Sequence, residues 1–340
     1  MGSLASRIAL VAVLVALGVG AVAARLLTTY EEPPVDPAWA VAGSGSIPDG
    51  AVTVRYTGTA TLVFSDGETT WMTDGWFTRP GALALFFGTI APDADAIARG
   101  LARNEVDRLA AVFPVHSHFD HAMDAPLVAQ RTGAVLLGSE STANIGRGAG
   151  LAEDRIRVVA DREPIALGRF VVTPIESRHF EFPDAAVRER ALGEPDITEP
   201  LVPPVSAFDY RVGKAYVLHV AHPRGSFLVV GSAGFVPGGL EGFRADTVFL
   251  GVGGLGSQTD AYREAFWRET VGLTKPSRVV PIHWDSLAGP AEGPFTGEVR
   301  AAGFLARGGD ALRAFLGAKA RAHPDVAFAT LPRFDPVVLF

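Results

Sequence analysis

The sequence predicts one large domain of the α/β (or α+β) class, in which two β-sheets pack face to face with helices outside. The chain has 340 residues with 48% hydrophobic content, which is enough to bury one sizeable core. After residue 50, strand-rich stretches alternate with helical segments. Sheets and helices of this kind bury their apolar faces by stacking in layers, which favours a two-sheet sandwich.

The amino-acid composition limits which partners and which metal ligands the protein can have. The net charge is -7, and Lys and Arg form no basic stripe, so nucleic acid is not expected as a partner. The chain contains no cysteine, which excludes disulfides, thiolate zinc sites and iron–sulfur clusters. Any bound metal must therefore be held by histidines and carboxylates. The composition indicates nothing about oligomeric state.

Residues 1–28 are predicted to be a signal anchor or a signal peptide. Residues 8–24 are uncharged and mostly apolar, with Arg7 before them and Arg25 after them. At about 1.5 Å per residue they are slightly shorter than a hydrocarbon core of about 30 Å. Ala21-Val22-Ala23 resembles a signal-peptidase site, so cleavage and anchoring both stay open, and we favour the anchor.

Export follows from either interpretation of the N-terminus. With Arg7 on the inner side, the rest of the chain is predicted to lie outside the inner membrane. It would face the periplasm from an anchor that contacts the membrane through residues 8–24. If the segment is cleaved, the protein would be periplasmic or secreted.

A linker precedes the folded domain, whose predicted strands and helices follow in chain order. Residues 29–50 lack a helical or strand period and contain Pro33-Pro34 and Gly43-Ser44-Gly45-Ser46, which is typical of a linker, so the folded domain is predicted at 51–340. Predicted strands are 52–56, 61–64, 70–73, 109–115, 156–159, 170–175, 206–212, 215–219, 226–230, 247–250 and 278–282. Predicted helices are 93–103, 122–131 and 261–271. The apolar run 82–87 and the long stretch 181–204 are predicted loops.

One short segment of the sequence contains most of the candidate metal ligands. His116 and His118 are two apart at the end of an apolar strand, so their imidazoles project to the same side and can meet one metal ion. Asp120 and His121 follow where the chain turns into a helix, and they can reach a second cation. Four metal-competent residues within six positions predict a metal site.

The run His116-Ser117-His118-Phe119-Asp120-His121 resembles the signature of the metallo-β-lactamase superfamily, His-x-His-x-Asp-His, which lies at the mouth of an αββα sandwich. The resemblance implies one metal held by His116, His118 and His179, and another held by Asp120, His121 and His283. Tyr56 to Thr61 and Thr73 to Phe77 resemble the branch of sugar-phosphate lactonases and N-acyl phospholipid phospholipases D. In that branch Asp74 would support a ligand imidazole.

Single histidines at strand ends are more often structural, but His179 and His283 each follow a strand where it meets a loop. The sequence departs from the superfamily at Ser232, where most members carry an aspartate that bridges two metals. A hydroxyl cannot replace that charge, so we expect weaker occupancy of the site with Asp120, His121 and His283.

The resemblance implies a metal-dependent hydrolase. A water on zinc ionises near pH 7, so a metal-bound hydroxide is expected to attack an ester, lactone, phosphodiester or related bond, with Asp120 as the catalytic residue that orients it. Zinc is expected as one or two ions, with manganese or iron as alternatives. A β-lactamase-type amide hydrolase and an iron-dependent oxidoreductase of the same fold remain open. The substrate is a small molecule, with a lipid-like one suggested by the apolar run and the export segment.

Overall fold

The structure is a computed structural model and describes residues 4–301 and 308–340. The helices are α1 (Leu4–Thr28), α2 (Ala82–Phe87), α3 (Ala94–Arg103), α4 (Phe119–Ala122), α5 (Ala125–Thr132), α6 (Glu140–Gly148), α7 (Ala185–Leu192), α8 (Asp260–Trp267) and α9 (Gly309–Ala322). The strands are β1 (Thr53–Gly58), β2 (Thr61–Ser65), β3 (Thr70–Thr73), β4 (Ala111–Phe113), β5 (Val135–Gly138), β6 (Ile156–Val158), β7 (Ile165–Leu167), β8 (Phe170–Ser177), β9 (Ala215–His222), β10 (Gly225–Val230), β11 (Thr247–Gly251), β12 (Arg278–Ile282), β13 (Ala327–Phe328) and β14 (Val337–Val338).

The strands form two sheets of seven strands each, in the orders β14-β1-β2-β3-β4-β5-β6 and β13-β12-β11-β10-β9-β8-β7. Their inner faces share one apolar core, in which Phe64 of β2 stacks on Phe227 of β10 with ring centroids 4.4 Å apart. Burial of such large rings between two sheets supplies much of the hydrophobic stabilisation. The predicted two-sheet sandwich is confirmed.

Helices cover the outer face of each sheet. Ile97 of α3 and Val128 of α5 pack with Val112 against the first sheet. Phe266 of α8 and Leu316 of α9 belong to a second apolar cluster on the other sheet. The layer order is therefore helix, sheet, sheet, helix, and an antiparallel β1-β2-β3 meander leads into parallel pairing of β3, β4, β5 and β6.

Three local predictions were wrong. The expected loop at 181–204 contains the helix α7, whose first turn is capped by Asp184 Oδ1, which accepts a bond from Val187 N (2.9 Å). The expected strand at 206–212 is instead a turn of 3-10 helix, because Ser206 N donates to Asp209 Oδ2 (2.9 Å) and Phe208 N donates to Ser206 Oγ (3.3 Å). Such local side-chain bonds compete with strand pairing. The expected loop at 82–87 contains the short helix α2, which turns its Leu85 into the protein.

The N-terminal hydrophobic segment is one helix. Within α1, the stretch Arg7–Thr28 has 22 residues and a mean hydropathy of 2.4, and none of it is buried. A helix of that length extends about 33 Å, close to the thickness of a hydrocarbon core. By length and composition it can cross a membrane, and signal sequences have the same character.

The segment 29–50 lies along the domain rather than projecting from it. Val41 N donates to Thr330 O (3.1 Å), and Thr330 N donates to Trp39 O (2.8 Å). Further along, Ser44 N donates to Pro336 O (2.7 Å), and Val35 is buried. The backbone bonds tie the start of the domain to its C-terminal strands.

Candidate metal centre

Five segments converge at one edge of the sandwich, because each follows the carboxyl end of a strand. Asp74 follows β3 and the motif starting at His116 follows β4. His179, Ser232 and His283 follow β8, β10 and β12 in the second sheet. Since these strands run in the same direction within their sheets, residues far apart in sequence meet at this edge.

Three histidines form the first group of side chains, called here the three-histidine group: His116, His118 and His179. Their ligand nitrogens lie within 4.8 Å of one another. His116 Nε2 lies 3.1 Å from His118 Nδ1, and the His118 and His179 rings are 4.7 Å apart between centroids. His179 Nδ1 lies 2.8 Å from Phe180 O, so a proton on Nδ1 leaves Nε2 free for a ligand.

Asp120, His121 and His283 form the second group, called here the aspartate group. His283 Nε2 lies 3.1 Å from Asp120 Oδ2 and 3.2 Å from His121 Nε2, and the remaining side of this triangle is 3.3 Å. Ligands about 2.0–2.1 Å from a zinc ion lie about 3.3–3.4 Å apart in a tetrahedron. The spacing therefore fits a small divalent cation. The two groups adjoin, with His116 and His121 ring centroids 3.9 Å apart.

Burial sets the charge of the three-histidine group. It lowers the pKa of His118 to about 4, and it lowers the pKa of His116 and of His179 well below the ordinary value. Neighbouring imidazoles add to the effect at His116 and His179. All three rings are neutral at physiological pH, which is the form that binds a metal ion.

The aspartate group is charged, in contrast to the neutral three-histidine group. Burial alone would lower the pKa of His121, but the carboxylates of Asp120 and Asp74 outweigh it and raise that pKa to about 10. The pKa of Asp120 is held well below its ordinary value by His121 and His283, against the effect of burial. Without a metal, this group holds a buried ion pair, and a metal must displace the proton on His121.

Asp74 links the first sheet to the motif. Its Oδ2 lies 2.8 Å from His121 Nδ1, and its Oδ1 accepts a bond from Val115 N (2.9 Å). With Nδ1 bonded to a carboxylate, His121 turns Nε2 toward Asp120 and His283. Asp74 has φ of 58°, an uncommon conformation outside glycine that these contacts maintain.

A protein-family model matches the central part of the domain. The family model described as "Metallo-beta-lactamase superfamily" matches residues 88–281, more than half of the chain. The chain belongs to the metallo-beta-lactamase superfamily. A search of curated proteins gives no match. The predicted superfamily is thus confirmed, while its lactonase and phospholipase branch stays a prediction.

Solved structures of the superfamily fold resemble this chain at low identity. An isothiocyanate hydrolase from Delia radicum gut bacteria has 16% identity and a TM-score of 0.50, over 84% of this chain and 99% of the other. Igni18, a metallo hydrolase from Ignicoccus hospitalis KIN4/I, has 13% identity and a TM-score of 0.49, over 85% and 99%. CmlA, a diiron beta-hydroxylase from Streptomyces venezuelae, has 14% identity and a TM-score of 0.45, over 86% and 54%. Identities this low show the fold alone.

Ser232 follows β10, at the position where the resemblance to the superfamily implies a bridging aspartate. Among the described residues its Oγ has no hydrogen-bond partner, although the atom is buried. A buried hydroxyl without a partner is costly, which is consistent with a ligand or water beside it. The donor set across both groups is five imidazoles and one carboxylate, which suits zinc and also manganese or iron.

His283 is held by residues that the sequence did not point to. It has φ of 59°, and its N donates to Thr59 O (2.6 Å). Thr59 N in turn donates to Asp285 Oδ1 (2.6 Å), which also accepts a bond from Tyr56 OH (3.2 Å). Two turns from different sheets therefore fix one ligand. The only signal in the sequence is a carboxylate two residues after a candidate ligand.

Aromatic side chains near the ligands are mostly buried. Phe180 and Phe182 lie beside His179, with ring centroids 4.5 and 5.6 Å from it. Phe180, Trp76 and Trp284 are buried.

The remaining three histidines lie outside the centre. His219 Nε2 lies 2.9 Å from Arg244 O, His222 Nε2 lies 3.2 Å from Asp66 Oδ2, and the His323 ring stacks on Trp267 with centroids 5.5 Å apart.

Proposed function

We propose that the protein is a metal-dependent hydrolase that binds two divalent cations at the three-histidine group and the aspartate group. The observation that carries the proposal is the adjacency of two three-ligand groups at one sheet edge. Divalent cations held there would supply a hydroxide nucleophile at neutral pH and would polarise the bond to be cleaved. We propose zinc in both sites, with manganese or iron as the other ions that the donor set accepts.

Asp120 has the position of the proposed catalytic residue. It is buried and ionised, and its Oδ2 faces His121 and His283. A carboxylate there can accept a hydrogen bond from the attacking water, orient it and take its proton. Asp74 acts through His121, whose ring it holds in place.

The substrate is proposed to be a small molecule with an ester, lactone or phosphodiester bond. This follows the resemblance of Tyr56 to Thr61 and Thr73 to Phe77 to the lactonase and phospholipase branch. These segments form the β1-β2 turn and the loop that begins at Asp74 after β3. Hydroxide cleaves a bond more readily when the leaving group is acidic, because that group departs as a stable anion.

We also propose a location. α1 is proposed as a signal anchor that holds the domain at the outer face of the inner membrane, with Arg7 on the inner side. If signal peptidase cleaves after Ala23, the same domain is periplasmic or secreted. Fractionation of cells that express the full chain would contradict both versions if the mature protein remained in the cytosol.

The test of the hydrolase proposal is a paired measurement on purified full-length protein. Metal content is determined by mass spectrometry, and turnover is measured against soluble esters, lactones, phosphodiesters and a chromogenic cephalosporin. We expect two divalent ions and hydrolysis of at least one class, lost in H116A and kept in H219A. Turnover that persists in H116A, or iron with oxygen consumption, would contradict the proposal.

A further inference from the structure

The short helix α2 carries an exposed apolar ridge, defined here as Leu83, Phe86 and Phe87. Their exposed fractions are 61%, 37% and 85%. The opposite side of the helix is buried through Ala82 and Leu85. Single apolar side chains are common on protein surfaces, but a cluster with two aromatic rings on six residues marks a contact surface.

The ridge lies next to the metal centre. Leu85 of α2 belongs to an apolar cluster with Ala122 and Met123, which directly follow the ligand His121. Phe119, between the ligands His118 and Asp120, packs against the same cluster. The buried face of α2 thus rests on the helix that presents the aspartate group, while its ridge faces outward.

The end of α1 joins the same part of the protein. Arg300 N donates to Thr29 O (2.9 Å), and Glu31 N donates to Glu298 O (2.9 Å). Tyr30 OH donates to Ala288 O (3.0 Å). Ala288 and its neighbour Leu287 pack against the cluster that contains Leu85. Residues 287–288 therefore contact both Tyr30, just after α1, and the apolar cluster that holds the buried face of α2.

A cavity of about 900 Å³ separates the last turns of α1 from the domain, between Val22 and Leu26 on one side and Phe295 and Arg300 on the other. α1 itself is unburied along Arg7–Thr28. The helix touches the domain only near its end, where Ala301 N donates to Leu26 O (2.9 Å), and the apolar side chains from Ile8 to Val22 are exposed. A helix so apolar and so exposed is suited to a lipid environment. Its final residues then lie at the membrane surface.

We propose that the apolar ridge of α2 inserts into the same membrane as α1, so that the metal centre opens at the lipid surface. The bilayer is the chosen occupant because the ridge and α1 meet through one loop at the end where α1 leaves the membrane. Aromatic and leucine side chains on a short helix are typical of segments that enter the boundary between headgroups and acyl chains.

The proposal also defines a class of substrate, and this part rests on the proposed hydrolase function. A centre that opens at the lipid surface receives molecules that partition into the membrane. We infer that the preferred substrate is an amphiphile with an acyl chain, whose polar bond reaches the metal centre while its chain stays in lipid. Its concentration at the surface exceeds its concentration in water.

The absence of cysteine permits a direct test of membrane insertion with single labels. F87C carries a nitrobenzoxadiazole dye on the ridge, and the matched control V158C carries it at an exposed valine on β6. The full chain is reconstituted into phosphatidylethanolamine and phosphatidylglycerol vesicles that contain nitroxide-labelled lipid. We expect lipid quenching and a blue-shifted emission at position 87, with quenching by aqueous iodide only at position 158.

Two outcomes would overturn the proposal. Equal iodide quenching at both positions would show that the ridge faces water. Protection from iodide without quenching by the lipid nitroxide would show that a second copy or another protein covers it. Neither mutation removes a buried side chain, because Phe87 is 85% exposed and Val158 is 46% exposed.

The substrate class is tested separately with L83S/F86S/F87S and the control V158S/V171S, both in vesicles. We expect the ridge variant to lose about tenfold of the rate on a long-chain ester embedded in the vesicles, with the rate on a short water-soluble ester unchanged. Equal loss on both esters would contradict the amphiphile preference. If the wild-type protein hydrolyses lactones or phosphodiesters rather than esters, the same comparison is made with long-chain and short-chain forms of that substrate. If it hydrolyses none of these classes, the hydrolase proposal fails, and the label result still decides membrane insertion.

Discussion

The two halves of the metal centre share the loop 116–121, and each takes one further histidine from the second sheet, but their electrostatics are opposite. The three-histidine group is neutral, because burial keeps protons off His116, His118 and His179. The aspartate group holds a buried ion pair between Asp120 and His121. A metal enters the first group without displacing a proton, and it must displace one from the second. We expect the two sites to fill in that order.

The largest loss of activity should follow from a substitution in the three-histidine group. H116A removes a ligand from the site that we expect to fill first, and we predict a fall in kcat/KM on the order of a thousandfold or more. Metal content should fall in the same variant. H219A is the matched control, since His219 bonds to Arg244 O away from the centre. An H116A enzyme with near-normal turnover would mean that this group does not serve catalysis.

The next prediction concerns Ser232, which stands in place of a metal-bridging aspartate. S232D places a carboxylate where most of the superfamily has one, and we predict that the second metal binds roughly tenfold to a hundredfold more tightly. Calorimetric titration of the metal-free protein measures both affinities. S232A is the control, and it should leave the second affinity unchanged. If S232D leaves the two affinities as unequal as before, the serine is not the cause of the inequality.

The third prediction concerns Asp285, which holds His283 in place through Thr59. D285N weakens the acceptor that receives Thr59 N, and Thr59 in turn holds His283 N. We predict a loss of about tenfold to a hundredfold in the second metal affinity and no change in the first. The thermal shift on metal addition provides a readout that is independent of activity. D310N, at an exposed position in the first turn of α9, serves as the control. An equal loss at both sites would point to general destabilisation instead.

The fourth effect is a difference in pH dependence. The pKa of His121 is raised to about 10 in the metal-free protein, so the ring is protonated at neutral pH and the second affinity should rise about tenfold per pH unit from 6 to 9. The pKa of His118 is lowered to about 4, so the first affinity should stay flat over that range. Titration in buffers of different ionisation enthalpy should detect about one proton released at the second site. Parallel pH profiles for both sites would remove the electrostatic distinction.

The sequence predicted much of the fold because its strongest patterns are local. Runs such as 61–64 and 226–230 are short, β-branched or aromatic, and bounded by turn residues, and both lie in strands. The pattern failed at 206–212, where bonds between Ser206 and Asp209 form a turn. It also missed α2, because six apolar residues show no helical period. Tertiary packing of Leu85 decides that segment.

The centre could be predicted to the extent that it lies in one run of sequence. His116 to His121 occupy adjacent positions at a strand end, so their meeting follows from local geometry. Thr59 and Asp285 could not be found in this way, because their contact joins two turns separated by 226 positions. The left-handed backbone of Asp74 and His283 was equally hidden, because Asp and His adopt it more often than most residues but still only rarely.

The central claim is that the two metal sites are unequal and fill in order. The most direct measurement is anomalous diffraction from crystals of the metal-free protein soaked with one and then several equivalents of zinc. We predict a single peak among His116, His118 and His179 at one equivalent, and a second peak beside Asp120 only in excess zinc. Equal peaks at one equivalent, or a first peak at the aspartate group, would contradict the account.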